Sequence, residues 1–286
     1  MVLSEKNLHT IYDESFATRR YGDQETINTL LNLYKTEKNP VDFKEELLSI
    51  VQLYFDSLLP KAKDSLHSNP NNWQKEKEVL YCLCTEGIKI ISQFYRGEDL
   101  DFDNAKSHVL SYREQILNSV DKSIRSKEPH LKAFDELSLI QDFGQKLSRK
   151  SHDKLVGIVS GGLEPSFLAT DILEKGMDDL ILLRYSKRSG DSQSLVPKNA
   201  PADYLGSIAG REVIVIEDYV VNGITMGAVV DAIKTYKPKN IDGIALSATK
   251  SAPHSSAFKN MDIDYSKSVM DEKYIHPFEF TVSQME

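Results

Sequence analysis

Apolar positions recur at helical spacing from the start of the chain to about residue 150, where glycine is sparse and Leu, Lys, Glu and Gln are abundant. Between Val41 and Phe55, the residues Phe43, Leu47, Ile50, Val51 and Tyr54 share one face, and Pro40 suits a first helical turn. The same spacing predicts long helices from about Trp73 to Tyr95, from an Asp101 or Asp103 N-cap to about Ser123, and from about Leu131 to Lys150. After about residue 150 the pattern changes. Leu155–Val159, Asp179–Arg184, Glu212–Ile216 and Ile241–Leu246 are short, continuous apolar runs rich in Val and Ile, each ending in a polar or glycine-containing loop. Runs apolar on both faces suit strands covered on both sides, as in a parallel sheet, and the stretches Leu163 to Lys175 and Thr225 to Tyr236 supply helical crossovers. The expected architecture is an α/β C-terminal domain with a central, mostly parallel sheet, residues 146–286, preceded by an all-helical domain, residues 1–145. Functional loops in such a sheet gather at the carboxyl ends of its strands.

With 286 residues, 40% of them hydrophobic and 27% charged, the chain is long enough to bury a sizeable core. A net charge of −8 and a pI near 5.5 argue against general affinity for nucleic acid or an anionic membrane. Lys146, Arg149, Lys150 and Lys154 cluster near the junction of the halves, and one short basic stretch of this kind reads as a solvated helix face. Cys82 and Cys84 lie in an apolar segment without His or Cys companions at ligand spacing, so neither a disulfide nor a zinc site is expected; one thiol should face the core. The scattered histidines His9, His67, His108 and His130 include no Glu-x-x-His pair that would set ligands on one helical face. The early acidic residue, the missing apolar leader and the absence of a membrane-length apolar run lead to an expected cytoplasmic location.

The segment with the most specific chemistry follows the run Val213-Ile214-Val215-Ile216. Glu217 and Asp218 stand at its end, then Tyr219-Val220-Val221-Asn222-Gly223-Ile224-Thr225, then a helix. Carboxylates at a strand end can hold vicinal ribose hydroxyls, while the backbone N–H groups of a turn and helix N-terminus can hold a phosphate. These residues resemble the motif by which type I phosphoribosyltransferases bind 5-phosphoribosyl 1-diphosphate (PRPP), and the Glu-Asp pair and the following Met resemble the hypoxanthine-guanine and xanthine branch. Val156 to Leu163, with Ser160-Gly161-Gly162, is similar to the family's diphosphate-binding loop, whose glycines let the backbone approach an anion. Arg184, Lys187 and Arg188 follow the next run, where the family carries basic residues and a loop that closes over the site, here Ser189 to Ser194. Asp262-Ile263-Asp264-Tyr265 and the tail from Tyr274 to Phe280 resemble, more loosely, the region that stacks an aromatic ring on the base.

The resemblance covers about residues 150 to 283 and implies transfer of 5-phosphoribosyl from PRPP to a nucleobase or other nitrogen acceptor, with release of diphosphate. It assigns Glu217 and Asp218 to the ribose hydroxyls and to Mg²⁺, directly or through water, and Arg184 and Lys187 to the reacting diphosphate. Ser160, Gly161, Gly162 and Arg188 would hold the diphosphate, and Val221, Asn222, Gly223, Ile224 and Thr225 the 5′-phosphate end. Homodimers are common in the family, so a homodimer is among the expectations. Two positions depart from the pattern. Asn222 stands where Ser or Thr is usual, and Val221 stands where the hypoxanthine-guanine branch has an Asp that handles the purine proton, a task no apolar side chain performs. A catalytically inactive PRPP- or nucleotide-binding regulator, or an enzyme running the reverse cleavage, therefore stands beside the transferase reading.

Overall fold

A computed structural model describes residues 26–59, 70–120, 135–159, 161–186, 193–220, 222–249, 252 and 262–269. The first half is helical: α1 (Ile27–Thr36), α2 (Pro40–Leu58), α3 (Pro70–Arg96), α4 (Phe102–Ser111), α5 (Arg113–Ser119) and α6 (Asp135–Ser148). Local signals set several of these boundaries. Asn39 caps α2 by accepting the N–H groups of Val41 and Asp42, and Pro40 takes the first position, where a missing N–H is harmless. Asp101 caps α4 through the N–H of Asn104. The single helix expected from there to Ser123 is interrupted at Tyr112, so α4 and α5 are separate.

The second half alternates strand and helix: β1 (Lys154–Val159), α7 (Leu163–Ile172), β2 (Leu180–Ser186), β3 (Gln193–Leu195), β4 (Glu212–Val220), α8 (Ile224–Lys234), β5 (Asn240–Thr249) and β6 (Asp262–Val269). They form one sheet in the order β3-β2-β1-β4-β5-β6, with β2, β1, β4, β5 and β6 parallel and β3 antiparallel to β2. This is the expected α/β fold with a mostly parallel sheet. Three details differ from the sequence reading. β4 continues through Glu217, Asp218 and Tyr219, which read as loop, because each of its ends pairs with the longer β5. β3 forms within the polar stretch that carried no apolar periodicity, and Asp262 to Tyr265 belong to a paired edge strand.

Each face of the sheet carries its own apolar cluster. On one, Val156, Ile158, Ile181, Leu183, Val213 and Val215 pack with Met226, Val229, Val230 and Ile233 of α8. On the other, Leu155, Val159, Leu180, Leu182, Ile214 and Ile216 join a cluster that runs without interruption through α7 into the helical half. Strand alternation makes this sorting. The boundary expected at residues 145/146 lies inside α6, and Lys146 on that helix donates to the Tyr265 carbonyl of β6 at 2.6 Å. The basic cluster at this junction is matched by acids: Lys146 with Asp142, Lys150 with Asp264 and Lys154 with Asp179, each at 2.8 Å. Among the described residues, no helix is long and apolar enough to cross a membrane.

Candidate active site

The chain winds from β1 outward to β2, then returns to place β4 on the other side of β1. Neighbouring parallel strands whose connections leave in opposite directions open a crevice at their carboxyl ends, where ligands of open α/β sheets bind. Here the crevice lies between the ends of β1 and β4. The segment after β1 contains Gly161 and Gly162, and the second half of β4 contains Glu217 and Asp218.

Gly161 and Asp218 meet across this crevice. A Cβ on Gly161 would lie 1.7 Å from Oδ2 of Asp218 and 2.3 Å from its Cγ, so the carboxylate occupies the space a side chain would need. Gly162 is constrained differently. A Cβ there would lie 2.4 Å from the backbone oxygen of Ile158 and 3.2 Å from that of Ile216, so this residue lets α7 start close against the two strands. Asp218 shares the strand face of Ile214 and Ile216, toward the helical half; Glu217, only 8% exposed, shares the face of Val213 and Val215, toward α8.

Beyond β4, Gly223 takes the left-handed conformation at φ 69°, which glycine adopts without a Cβ penalty, and turns the chain into α8. The first N–H groups of a helix have no intrahelical partner and attract anions. One of them is already engaged: Asn222 Oδ1 accepts the N–H of Ile224 at 3.2 Å. Thr225 is half-buried in the first turn, and Ile224 is 50% exposed.

Arg184, near the end of β2, lies on the helical face with Leu180 and Leu182. Its Nη1 donates to the carbonyl of Val159 at 2.9 Å, immediately before the glycine segment. Its Nε lies 3.6 Å from Oδ1 of Asp56 in α2. The Asp56 carboxyl is fully buried, and desolvation raises its pKa to about 6 against the opposing pull of Arg184. A second buried charge contact joins α2 to the start of α7: Lys44 Nζ lies 2.5 Å from Glu164 Oε1, which also accepts the Tyr95 hydroxyl at 2.8 Å.

The structure therefore brings Gly161, Gly162, Arg184, Asp218, Glu217, Asn222, Gly223, Ile224 and Thr225 to neighbouring carboxyl ends of β1, β2 and β4. Ser160, Lys187, Arg188 and Val221 lie outside the described residues, as does the tail from Tyr274 to Phe280. Tyr265, from one of the two segments that resemble the base-stacking region, lies in β6 and packs beside the α8-side core. Asp56, Lys44 and Glu164 carried no sequence signal, because their partners are distant in the chain. Among the described residues there is no group of three or more His, Cys, Asp or Glu that could hold a metal ion. Asp218, beside the glycine segment, fits an ion such as Mg²⁺, which takes one or two protein carboxylates and draws its other ligands from phosphates and water; Glu217, on the opposite strand face, would act on such an ion through water.

No curated protein matches the chain in sequence. Among solved structures, a purine phosphoribosyltransferase from Pyrococcus horikoshii Ot3 aligns at 20% identity over 46% of this chain and 80% of that chain, with a TM-score of 0.37. An orotate phosphoribosyltransferase from Aeropyrum pernix aligns at 18% identity over 46% and 68%, with a TM-score of 0.34. A hypothetical protein from Neisseria gonorrhoeae with bound ppGpp aligns at 14% identity over 50% and 85%, with a TM-score of 0.38. The family model of the phosphoribosyl transferase domain matches residues 132–275, half of the chain, and the chain belongs to that family.

Proposed function

We propose that the protein binds PRPP in the crevice between β1 and β4 and transfers its 5-phosphoribosyl group to a nucleobase or another nitrogen acceptor. The observation that carries this reading is the contact of Asp218 with Gly161. It puts a carboxylate suited to ribose hydroxyls beside a backbone segment suited to the diphosphate, the group that PRPP carries on the ribose itself. Asp218 and Glu217 would hold the ribose hydroxyls. Gly223, Ile224 and Thr225, at the positive end of α8, would hold the 5′-phosphate. Ser160, Gly161, Gly162 and Arg184, with Lys187 and Arg188, would hold the diphosphate.

In the reaction, the acceptor nitrogen's lone pair forms the new bond to C1 of the ribose as the bond from C1 to the diphosphate oxygen breaks, and diphosphate leaves with that electron pair. The protein's work is positioning and neutralising charge on the leaving group, so Arg184 matters most as the C1–O bond lengthens. Mg²⁺ held by Asp218, or through water by Glu217, would supply further charge neutralisation to the diphosphate. The acceptor's proton leaves to solvent or another group, because Val221 offers no base.

A second reading, a PRPP- or nucleotide-binding regulator without turnover, draws on Val221 and on Asn222, whose side chain already occupies the N–H of Ile224. Calorimetric titration of PRPP with Mg²⁺ tests the site, followed by a panel of nucleobases with diphosphate detection. The transferase reading expects saturable binding, weakened at least about tenfold by Asp218→Asn through loss of a charge-assisted hydrogen bond, and diphosphate release with one acceptor. Binding without release across the panel selects the regulator; no binding at millimolar PRPP ends both readings.

A further inference from the structure

Resting on the PRPP reading, we propose that Asp56, from the helical half outside the family match, is a positioning residue that acts through Arg184: ionised, it restrains that guanidinium's hold on diphosphate. The geometry has three parts. Arg184 is pinned by its bond to the Val159 carbonyl at 2.9 Å, so its place beside the glycine segment does not depend on Asp56. Asp56 faces the Nε edge at 3.6 Å, longer than a good hydrogen bond, so it acts on Arg184 by charge. Its side chain is completely buried, and neither carboxylate oxygen has a hydrogen-bond partner among the described residues. A carboxylate in that state is screened by little except the guanidinium itself. The Arg184 side chain is 14% exposed, so it is not sealed off completely, and the N–H groups it does not give to Val159 are the ones assigned to the anion.

Other charged groups around α2 are engaged elsewhere. Lys44 pairs with Glu164 of α7, and Glu76 of α3 accepts the side-chain amide of Asn199 at 2.8 Å. The backbone N–H of Lys198 donates to the Leu58 carbonyl at 2.7 Å. Gln52, one turn before Asp56, is buried and does not titrate. Among the described residues, the charge that acts on the Asp56 carboxyl is that of Arg184. Asp56 and an incoming diphosphate are both anions drawing on the Arg184 guanidinium, so binding the ligand favours the protonated acid. Burial raises the Asp56 pKa to about 6, which places the transition where a modest pH change alters the site. Above that pH the carboxylate is ionised and opposes the ligand; below it, the acid is neutral and the opposition is gone.

The test compares the natural chain, Asp56→Asn and Arg184→Gln for binding of PRPP and of inorganic diphosphate with Mg²⁺ between pH 5 and pH 8, with thermal melting to confirm folding. Because the ligands titrate too, the quantity read is the affinity ratio between variant and natural chain at each pH. Asp56→Asn should bind about tenfold more tightly at pH 8, the effect of removing one charge at this range from an anion, and the ratio should fall toward one at pH 5. Arg184→Gln should bind weakly at every pH. An unchanged or lower affinity for folded Asp56→Asn at pH 8, or a ratio that does not vary with pH, overturns this inference while PRPP binding by the natural chain stands. No change on Arg184→Gln also overturns it, since Asp56 would then have nothing to act through. Absence of PRPP binding by the natural chain overturns the functional reading itself.

Discussion

Two adjacent glycines after β1 do different work, and substitution separates them. The atoms crowding a Cβ on Gly161 belong to the end of the Asp218 side chain, which can rotate away. Gly161→Ala should therefore fold with a melting temperature within a few degrees of the natural protein, because rotating the end of one half-buried carboxylate leaves the packed core intact. It should lose phosphoribosyl-transfer rate by about a hundredfold, the scale of catalysis lost when a positioning group sits about an ångström from its place. The atoms crowding a Cβ on Gly162 are the backbone oxygens of Ile158 and Ile216, which cannot move without disturbing both central strands. Gly162→Ala should cost about 1–3 kcal/mol in urea unfolding, as overpacking does. Equal losses of stability in the two variants would contradict this division. The glycine pair was legible in the sequence as a loop for an anion; that one glycine serves a carboxylate and the other serves packing was not, because it depends on contacts with β4.

At the scale of elements, α2 shows what periodicity reveals and what it conceals. Its apolar face was readable, and so were its cap and first turn, because these depend on neighbours along the chain. The fate of its polar residues was not readable. Lys44, Glu45, Gln52 and Asp56 look like a solvated face, yet all are buried. Their burial follows from elements more than a hundred residues away, α7 for Lys44 and β2 for Asp56. The strands divide similarly. The runs covered on both faces announced themselves, whereas β3 and β6 are edge strands with fewer apolar positions, defined by pairing to β2 and β5. The Lys44–Glu164 pair gives the α2–α7 contact a testable weight. Removing one member leaves the other charged and buried, so Lys44→Ala should destabilise the protein by about 3–5 kcal/mol in urea unfolding. Replacing both with apolar residues of similar volume should recover most of that loss, since the pair's attraction is largely offset by its desolvation. A loss under about 1 kcal/mol for the single variant would mean that water reaches the pair.

For the whole molecule, the question is whether the family domain stands without the helices before it. The match to residues 132–275 includes α6 and every strand, and the α8 face of the sheet is complete within it. The other face is not. Residues 163–170 of α7 are all buried, on every side of the helix, and the cover on the side away from the sheet comes from the helical half. Gly87 of α3 is seated so closely on the Phe167 ring that a Cβ there would lie 2.4 Å from Cε2. A fragment of residues 132–286 would expose Phe167 with its apolar neighbours and would open the buried Glu164 and Arg184 contacts to water. Exposed apolar surface of that kind drives association. The fragment should therefore elute as aggregates in size-exclusion chromatography and bind a hydrophobic dye, while the full chain unfolds in one transition seen alike by far-ultraviolet circular dichroism and Trp73 fluorescence. A monomeric fragment with its own cooperative melt would instead mean that α7 can do without its cover. The first outcome makes the helical half part of the scaffold that fixes α7 and, through Asp56, tunes the diphosphate end, so that one continuous core ties the two.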